Sequence, residues 1–466
     1  MGYAGFFGRL NYNYKEKYLL EVNGRYDGTS RFMKDQRWNF FPSFSLGWNV
    51  ARENFWKPLE SVVNQFKLRG SWGELGNQNT SNLYPFYEIL PVKSNSGNWL
   101  VNGGKTNTAD IPSLVSTLLT WERVRSFNVG FDFGAFSNRL TGSFDYFVRK
   151  TVDMVGPAPQ LPLVLGIAPA IVNNADMKSY GFEIELSWRD RIGEVDYGVK
   201  FNLADAQQKV VKYPNTTNAF SDWYAGKMSG EIWGYTSLGI AKTDEEMKEH
   251  LASLPNGGQN QLGNKWGAGD IMYADINGDG KVDGGKGTLA DPGDQRIIGN
   301  STPRYNFGLV LDASYKGFDV SIFFQGVGKR DYAPIVGTNG AVFWGAVNNI
   351  WQSMAMEEHF DYFRPEGHPM GANLNGYYPR PDFTSNKNHQ VQTRYLQDAS
   401  YIRLKNLQIG YTLPKQWINK LQINRCRVYV SGDNLWTGTS LASMFDPETL
   451  AAGDWGSGKT YPLSKM

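Results

Sequence analysis

The stretch FFGRLNYNYKEKYLLEVNGRYD, residues 6–27, decides the fold class because its side chains alternate in polarity with a period of two. One parity carries the apolar residues Phe6, Leu10, Tyr12, Tyr14, Tyr18, Leu20, Val22 and Tyr26. The other parity carries the polar residues Arg9, Asn11, Asn13, Glu21, Asn23, Arg25 and Asp27. Strict alternation over about nine residues predicts a strand with one apolar face and one wet face. The stretch therefore predicts a hairpin closed by the short KEK connection.

The same alternation recurs along the chain and predicts about twelve strands in all. The further segments that carry it are FPSFSLGWNV (41–50), FKLRGSW (66–72), SFNVGFDF (126–133), LTGSFDYFVRK (140–150), YGFEIELSW (180–188), DYGVKFNLA (196–204), YNFGLVLDASY (305–315), FDVSIFFQG (318–326), YIRLKNLQIGYTL (401–413) and RCRVYVSGDNL (425–435). The parity switches near Lys405–Asn406, which predicts a β-bulge at that point. The pattern predicts an all-β, antiparallel protein.

Short and long connections alternate between these segments. KEK, GAFSNR, DRIGE and YKG are short, whereas residues 76–121, 206–303 and 329–398 form long segments rich in Gly, Asn and Pro. Short turns at one end and long loops at the other are typical of outer-membrane barrels, and aromatic residues such as Trp48 and Trp188 stand near strand ends as in their girdles. A soluble sandwich also alternates, but its strands usually have five or six residues. The sequence therefore favours a transmembrane β-barrel with long extracellular loops.

The face assignment follows from the alternation. We expect the apolar set Tyr12, Val22, Leu46, Phe131, Ile184, Leu309 and Ile322 to face lipid. We expect the charged set Arg25, Arg69, Glu185 and Asp312 to face the lumen. One loop segment breaks the period: in KTDEEMKEHLASL, Thr243 is followed three residues later by Glu246, which predicts a short surface helix with a capping box.

Composition excludes several function classes. The net charge is +2, from 47 basic and 45 acidic residues, so no strong field favours nucleic acid. A single cysteine, Cys426, excludes an internal disulfide framework and a cysteine-based zinc site. The four His residues are scattered, and neither a phosphate-binding loop nor a nucleophile elbow nor a zinc-protease motif occurs. The sequence predicts no enzyme.

The stretch YADINGDGKVD, residues 273–283, has the oxygen-ligand spacing of a calcium loop. The candidate ligands are Asp275, Asn277, Asp279, the Lys281 carbonyl, Asp283 and, folding back from downstream, Asp294, with Asp291 as the alternative to Asp294. Position twelve of such a loop is Lys286, which cannot ligate a cation. The alternative is a loop that holds itself by Asx turns and local hydrogen bonds. Both interpretations make the segment a structural feature of a long outer loop, and calcium is the one candidate cofactor.

Several long phrases, in order along the chain, resemble SusC-like TonB-linked outer-membrane transporters. They include YLLEVNGRYDGTSRF, FPSFSLGWNVARENFW, KLRGSWGELGNQ, GDIMYADINGDGKVD, DQRIIGNSTPRYNFGLVLDASYKGFDVSIFFQGVGKRDY, YYPRPDF, ASYIRLKNLQIGYTLP and RVYVSGDNLW. The resemblance implies a portion of a 22-stranded barrel over residues 1–466. We expect the signal peptide, the N-terminal domain, the TonB-binding segment, the plug, the first strands and the last strand to be absent from this sequence.

The resemblance also implies a function and partners. The family imports oligosaccharides or, in some members, peptides across the outer membrane of Gram-negative bacteria, with a SusD-like lipoprotein as lid and TonB as the energy source. Flat aromatic faces stack on sugar rings, so the substrate-contact candidates are the loop residues Trp223, Tyr224, Trp233, Trp266, Trp344, Trp351, Tyr377 and Tyr378. Loop packing is the alternative for each. A soluble secreted calcium-containing glycan-binding β-protein is the alternative for the whole chain.

Overall fold

The computed structural model describes residues 2–79, 83–156, 162, 164, 166–167, 169–334, 342–345, 347, 355–382, 386–418 and 423–450. Twelve long strands form one sheet, in which each strand pairs with its neighbours along this series. They are β1 (Tyr3–Tyr14), β2 (Tyr18–Thr29), β3 (Trp38–Asn49), β4 (Val63–Asn77), β5 (Glu122–Ala135), β6 (Leu140–Val155), β7 (Asn173–Ile192), β8 (Val195–Lys212), β9 (Arg304–Tyr315), β10 (Phe318–Lys329), β11 (Tyr401–Thr412) and β12 (Arg427–Thr439). The predicted all-β, antiparallel architecture is confirmed.

The chain divides into two compact units, residues 1–188 with 206–228 and residues 189–205 with 229–466. In the first unit the register follows the alternation, because a shift of one residue would turn each side chain to the wrong face. Leu20 lies opposite Tyr12 on β1 and opposite Leu46 on β3. Leu46 is 63% exposed although it is a large apolar residue in mid-strand. The apolar face of these strands is therefore exposed in the first unit.

The opposite face of the first unit is polar and internally paired. Arg69 on β4 donates to both carboxylate oxygens of Asp132 on β5, at 3.1 Å each. Its two terminal nitrogens donate to Asp145 on β6, at 2.8 and 2.6 Å. Arg25 and Glu185 share the parity of Arg69 in the observed register. The structure thus separates the apolar set from the charged set as the sequence predicts.

The second unit repeats this division on its own strands. Leu309 and Ile322 share one face of β9 and β10, and Asp312 lies on the other. The polar face carries an ion pair between Arg427 and Asp319. The predicted β-bulge is confirmed, since the pairing of β11 with β12 shifts register between Leu404 and Asn406.

The helices are few and short. The predicted surface helix α1 is Asp244–Ala252, and the Thr243 hydroxyl at its N-cap accepts from the Glu246 N–H at 3.1 Å. A second α-helical turn is Lys415–Ile418. The 3-10 helices are Lys34–Gln36, Val50–Arg52, Asn54–Leu59, Glu357–Phe360 and Thr393–Tyr395. Among the described residues, no helix is long and apolar enough to cross a membrane.

The long connections contain small sheets and a core of their own. The paired segments are Val92–Lys93 with Thr108–Ala109, Leu100–Val101 with Gly104–Lys105, Glu231–Gly234 with Arg296–Asn300, Ser237–Ile240 with Ile271–Tyr273, and Asp331–Tyr332 with Gln397–Asp398. In the second unit, residues from 235 to 450 pack into one buried cluster that includes Ile271, Tyr273, Phe343 and Tyr395. We call this cluster, together with the buried polar and charged side chains of residues 270 and 387–389 that adjoin it, the loop core.

Candidate functional site

The calcium-like segment begins with a carboxylate that accepts two backbone N–H groups. Asp275 Oδ1 accepts from the Gly278 N–H at 2.6 Å, and Oδ2 accepts from the Gly280 N–H at 2.8 Å. Gly278 and Gly280 have φ of +77° and +80°, a conformation that side chains with a Cβ rarely adopt. Asn277 Oδ1 in turn accepts from the Asp279 N–H at 2.9 Å. The two glycines therefore allow the chain to wrap around one carboxylate.

Asp294 folds back onto the segment and closes it, as the sequence anticipates. Its Oδ1 accepts from the Ile276 N–H at 2.7 Å, and its Oδ2 accepts from the Asp283 N–H at 2.8 Å. Asp294 is fully buried, and burial raises the pKa of its carboxyl group, while the backbone donors oppose that rise. The buried Asp294 carboxylate thus accepts hydrogen bonds from the backbone of its own loop.

Lys281 supplies a positive charge within the candidate ligand set. Its Nζ lies 2.5 Å from Asp283 Oδ2 and 3.9 Å from Asp279 Oδ2. The hydrogen bond from this ammonium group lowers the pKa of Asp283. In the described part of the chain, no three His, Cys, Asp or Glu side chains gather as a metal-binding group. The Asx-turn hydrogen bonds are present, and the calcium ligand set stays a prediction.

Two of the predicted substrate-contact aromatics lie inside the loop core. Trp344 and Tyr378 are both buried, and their rings lie 5.9 Å apart, edge to face. Burial in an aromatic cluster raises the pKa of Tyr378. Tyr377 is half-buried, and its carbonyl oxygen accepts from the Tyr395 hydroxyl at 2.9 Å. These residues use their flat faces for loop packing.

The remaining aromatic candidates among the described residues are partly exposed to solvent. Trp266 is half-buried against Tyr273, with the Lys387 ammonium 5.1 Å from its ring. Trp223, Tyr224 and Trp233 are also half-buried. Trp351 lies outside the described residues. The partly exposed aromatics remain predicted substrate contacts.

A buried ionic cluster that the sequence did not reveal fastens two long connections to each other. Asp270 is fully buried, and Arg380 donates to its two oxygens at 2.8 and 2.6 Å. Lys387 Nζ and Asn388 Nδ2 donate to the same carboxylate, at 2.9 Å each. Asp270 and Arg380 are 110 residues apart in the chain, so no local pattern could have joined them.

His389 is the other residue that only the structure reveals. Its ring lies 4.3 Å from the Trp344 ring, and within the described residues neither ring nitrogen has a hydrogen-bond partner. Burial lowers its pKa to about 3. The imidazole is therefore held neutral among aromatic side chains.

The fold defines the class of protein: it is an all-β protein with long antiparallel strands, each with an apolar and a polar face, and with a loop core. Comparison with known proteins identifies the family. Residues 2–435 match the family model described as TonB dependent receptor-like, beta-barrel. The chain belongs to this family, and the resemblance found in its sequence is confirmed.

Individual relatives agree with the family assignment. The chain is 30% identical to TonB-dependent receptor P3 of Formosa agariphila, over 96% of this chain and 42% of that protein. It is 25% identical to TonB-dependent receptor SusC of Bacteroides thetaiotaomicron, over 89% of this chain and 38% of that protein. The solved structure of the RagAB peptide transporter matches its fold with a TM-score of 0.74 and 23% identity, over 99% of this chain and 46% of that one. The chain thus spans less than half the length of these relatives.

Proposed function

We propose that this chain forms wall strands and extracellular loops of a SusC-like TonB-dependent importer in the outer membrane of a Gram-negative bacterium. The observation that carries the proposal is the two-faced wall: an exposed apolar face backs a polar face bound by ion pairs such as Arg69 with Asp145. In an outer-membrane barrel, an apolar face of this kind contacts lipid and the polar face contacts water.

The soluble alternative fits this surface poorly. A soluble glycan-binding protein would expose the contiguous apolar face of β1–β4 to water, including Leu10, Leu46 and Phe44. Solubility separates the two functions: the importer needs detergent to leave the membrane fraction, whereas the soluble protein purifies without it. Purification from the soluble fraction would contradict the importer.

Energised transport requires more than a wall. We propose that the plug and the TonB-binding segment come from chain beyond these 466 residues, in keeping with the greater length of the relatives. Cells that make only these residues should therefore show no TonB-dependent uptake, while cells with the natural full-length polypeptide should. Robust TonB-dependent uptake by the 466 residues alone would contradict this division of labour.

The substrate class follows from the loops. We propose oligosaccharides, since partly exposed aromatic rings such as Trp223 and Trp266 can stack on sugar rings, with peptides as the second class. Uptake of labelled oligosaccharides and of labelled peptides by the full-length protein would separate the two. Trp223→Ala should weaken oligosaccharide uptake, and Phe318→Ala, at the short-connection end, is the matched control.

A SusD-like lipoprotein is the proposed lid partner, and the connection between β4 and β5 is its proposed contact. Apolar residues that are more than half exposed gather there: Leu83, Tyr87, Ile89, Leu90, Val92, Trp99, Leu100, Val101, Ile111 and Leu118. Many large apolar side chains exposed in one connection are typical of a protein interface. Trp99→Glu with Leu100→Glu should abolish co-purification of the lipoprotein, whereas Leu238→Glu, equally exposed in another connection, should not.

A further inference from the structure

We propose that the 3-10 helix Asn54–Leu59 is a membrane-interface foot, which lies in the boundary between headgroups and acyl chains of the leaflet at the short-connection end. It sits in the connection between β3 and β4, within the first unit. This inference rests on the proposed outer-membrane location. It goes further, because it assigns a lipid contact to a connection instead of a strand.

Two ring contacts place the helix over the apolar face of the strand ends. Phe55 packs edge to face on Trp48 of β3, with ring centroids 6.4 Å apart. Trp56 stacks on Phe66 of β4, with centroids 5.2 Å apart and planes 5° from parallel. Trp48 shares the parity of Leu46, and Phe66 shares that of Leu68. The foot is therefore continuous with the lipid-facing surface of the wall.

The polar groups around the foot mark the depth of an interface. The Glu53 carboxylate accepts from Lys17 Nζ at 2.9 Å, from the Tyr18 hydroxyl at 2.7 Å and from Trp48 Nε1 at 3.3 Å. Tyr and Trp rings with their polar atoms turned toward water are typical of the headgroup level. Farther along the strands from the foot, the same face carries apolar side chains such as Leu46.

Contacts other than those of Phe55 and Leu59 also hold the foot in place. Trp56 Nε1 donates to the Val63 carbonyl at 2.9 Å, and the Val62 carbonyl accepts from the Phe136 N–H at 2.8 Å. Phe55 and Leu59, in contrast, are 63% and 50% exposed. Internal packing thus leaves two large apolar groups exposed, and acyl chains are the environment that would cover them.

The charges beside the foot suit phospholipid headgroups. Lys57 is exposed on the helix itself, and Lys15 is exposed in the neighbouring turn. Among the described residues, neither ammonium group forms an ion pair with a carboxylate. An amphipathic element with flanking cations lies with its apolar side about 5–10 Å into the boundary.

Depth measurements with nitroxide spin labels test the proposal. Phe55→Cys, Leu59→Cys and Glu60→Cys are made singly in the natural full-length polypeptide that carries Cys426→Ser, and each is labelled and placed in phospholipid nanodiscs. Labels at positions 55 and 59 should collide several-fold more with oxygen than with a water-soluble nickel chelate. The label at exposed position 60 should show the reverse.

A label at Leu46→Cys separates the outcomes. If position 46 reads as lipid while positions 55 and 59 read as water, the foot is overturned and the importer stands. If position 46 also reads as water, the membrane location itself is overturned. The two foot positions are independent of each other, so failure of one variant to fold leaves the other decisive.

Discussion

The strand wall and the loop core use the same residue types in opposite ways. On the wall, large apolar side chains in mid-strand are exposed, as Leu46 and Phe44 show. In the loop core, Ile271 and Tyr273 have no exposed surface at all. The loop core also buries charge, in the cluster around Asp270.

The proposed outer-membrane location explains the difference by the solvent around each region. Lipid covers an apolar strand face, so the wall needs apolar groups outside and satisfies its polar groups on the opposite face. Water surrounds the long loops, so they must bury apolar groups and pair the polar groups that become buried with them. The following predictions test this comparison, from the largest expected effect to the smallest.

Removal of the buried carboxylate in the loop core should have the largest effect. Asp270→Ala removes the carboxylate that pairs with Arg380 and the nearer of the two carboxylates beside the buried Lys387 ammonium. Loss of one partner from a buried ion pair costs about 3–5 kcal/mol of folding free energy. Hydrogen exchange at the amides of Ile271 and Tyr273 should report the loss. Asp361→Ala, an exposed acid with one described side-chain partner, is the control and should change protection little. Unchanged protection in Asp270→Ala would contradict a charge-paired loop core.

A charge on the outer face of the wall should have the next largest effect. Leu46→Arg places a guanidinium group in lipid and should cost about 2–4 kcal/mol, whereas Ser45→Arg on the polar face should cost far less. Denaturant titration in phospholipid vesicles measures both. Equal costs at positions 45 and 46 would break the division of the wall into two faces.

The sequence predicts the wall well because period-two alternation is a local property, set by neighbouring residues. The hairpin at residues 6–27, the parity sets and the bulge near Lys405 follow from neighbouring residues, and the structure has them. The helix α1 follows from the capping pattern at Thr243 and Glu246. Alternation alone leaves a soluble sandwich open as an alternative to the barrel. The resemblance to known transporters adds the family.

The loop core could not be predicted from local patterns because its contacts join residues that are far apart in the chain. Asp270 meets Lys387 across 117 residues, and Trp344 meets His389 without any shared periodicity. Residue type alone therefore predicts Trp344 and Tyr378 as substrate contacts, whereas the structure buries both. The fold-back of an acid could be anticipated because Asp291 and Asp294 both lie close downstream of the loop, and the structure shows that Asp294 is the one that folds back.

Acid should weaken the loop core through His389. Its pKa is lowered to about 3 by burial, so the unfolded chain binds a proton more readily than the folded chain. Stability is therefore complete above the unfolded pKa of about 6.5, falls as the pH decreases below that value, and levels off near 3. Between pH 7 and pH 5 the loss should be about 2 kcal/mol.

Substitution isolates this contribution. His389→Leu should flatten the pH dependence of exchange protection at Ile271 and Tyr273, while His368→Leu in a partly exposed turn should leave it unchanged. The nitrogens of His389 lack partners in the described part of the chain, so the apolar variant should retain its protection at pH 7. An unaltered pH profile in His389→Leu would show that another group senses acid.

Calcium binding by residues 275–294 should have the smallest effect on the loops. The predicted ligands are Asp275, Asn277, Asp279, Asp283, the Lys281 carbonyl and Asp294. Each carboxylate oxygen of Asp275, Asp279 and Asp283 retains a lone pair beyond the hydrogen bonds that it accepts from the loop. The Lys281 ammonium must leave Asp283 first, so affinity should be weak, at about 10⁻⁴–10⁻³ M. Calorimetric titration of the full-length protein measures this affinity.

Three variants test the ligand set. Asp279→Ala should abolish calcium binding, whereas Asp291→Ala should not. Lys281→Gln should tighten binding several-fold because the ligating carbonyl remains. Sub-micromolar binding that survives Asp279→Ala would contradict the ligand set, and absence of binding at millimolar calcium would leave a loop held by Asx turns alone.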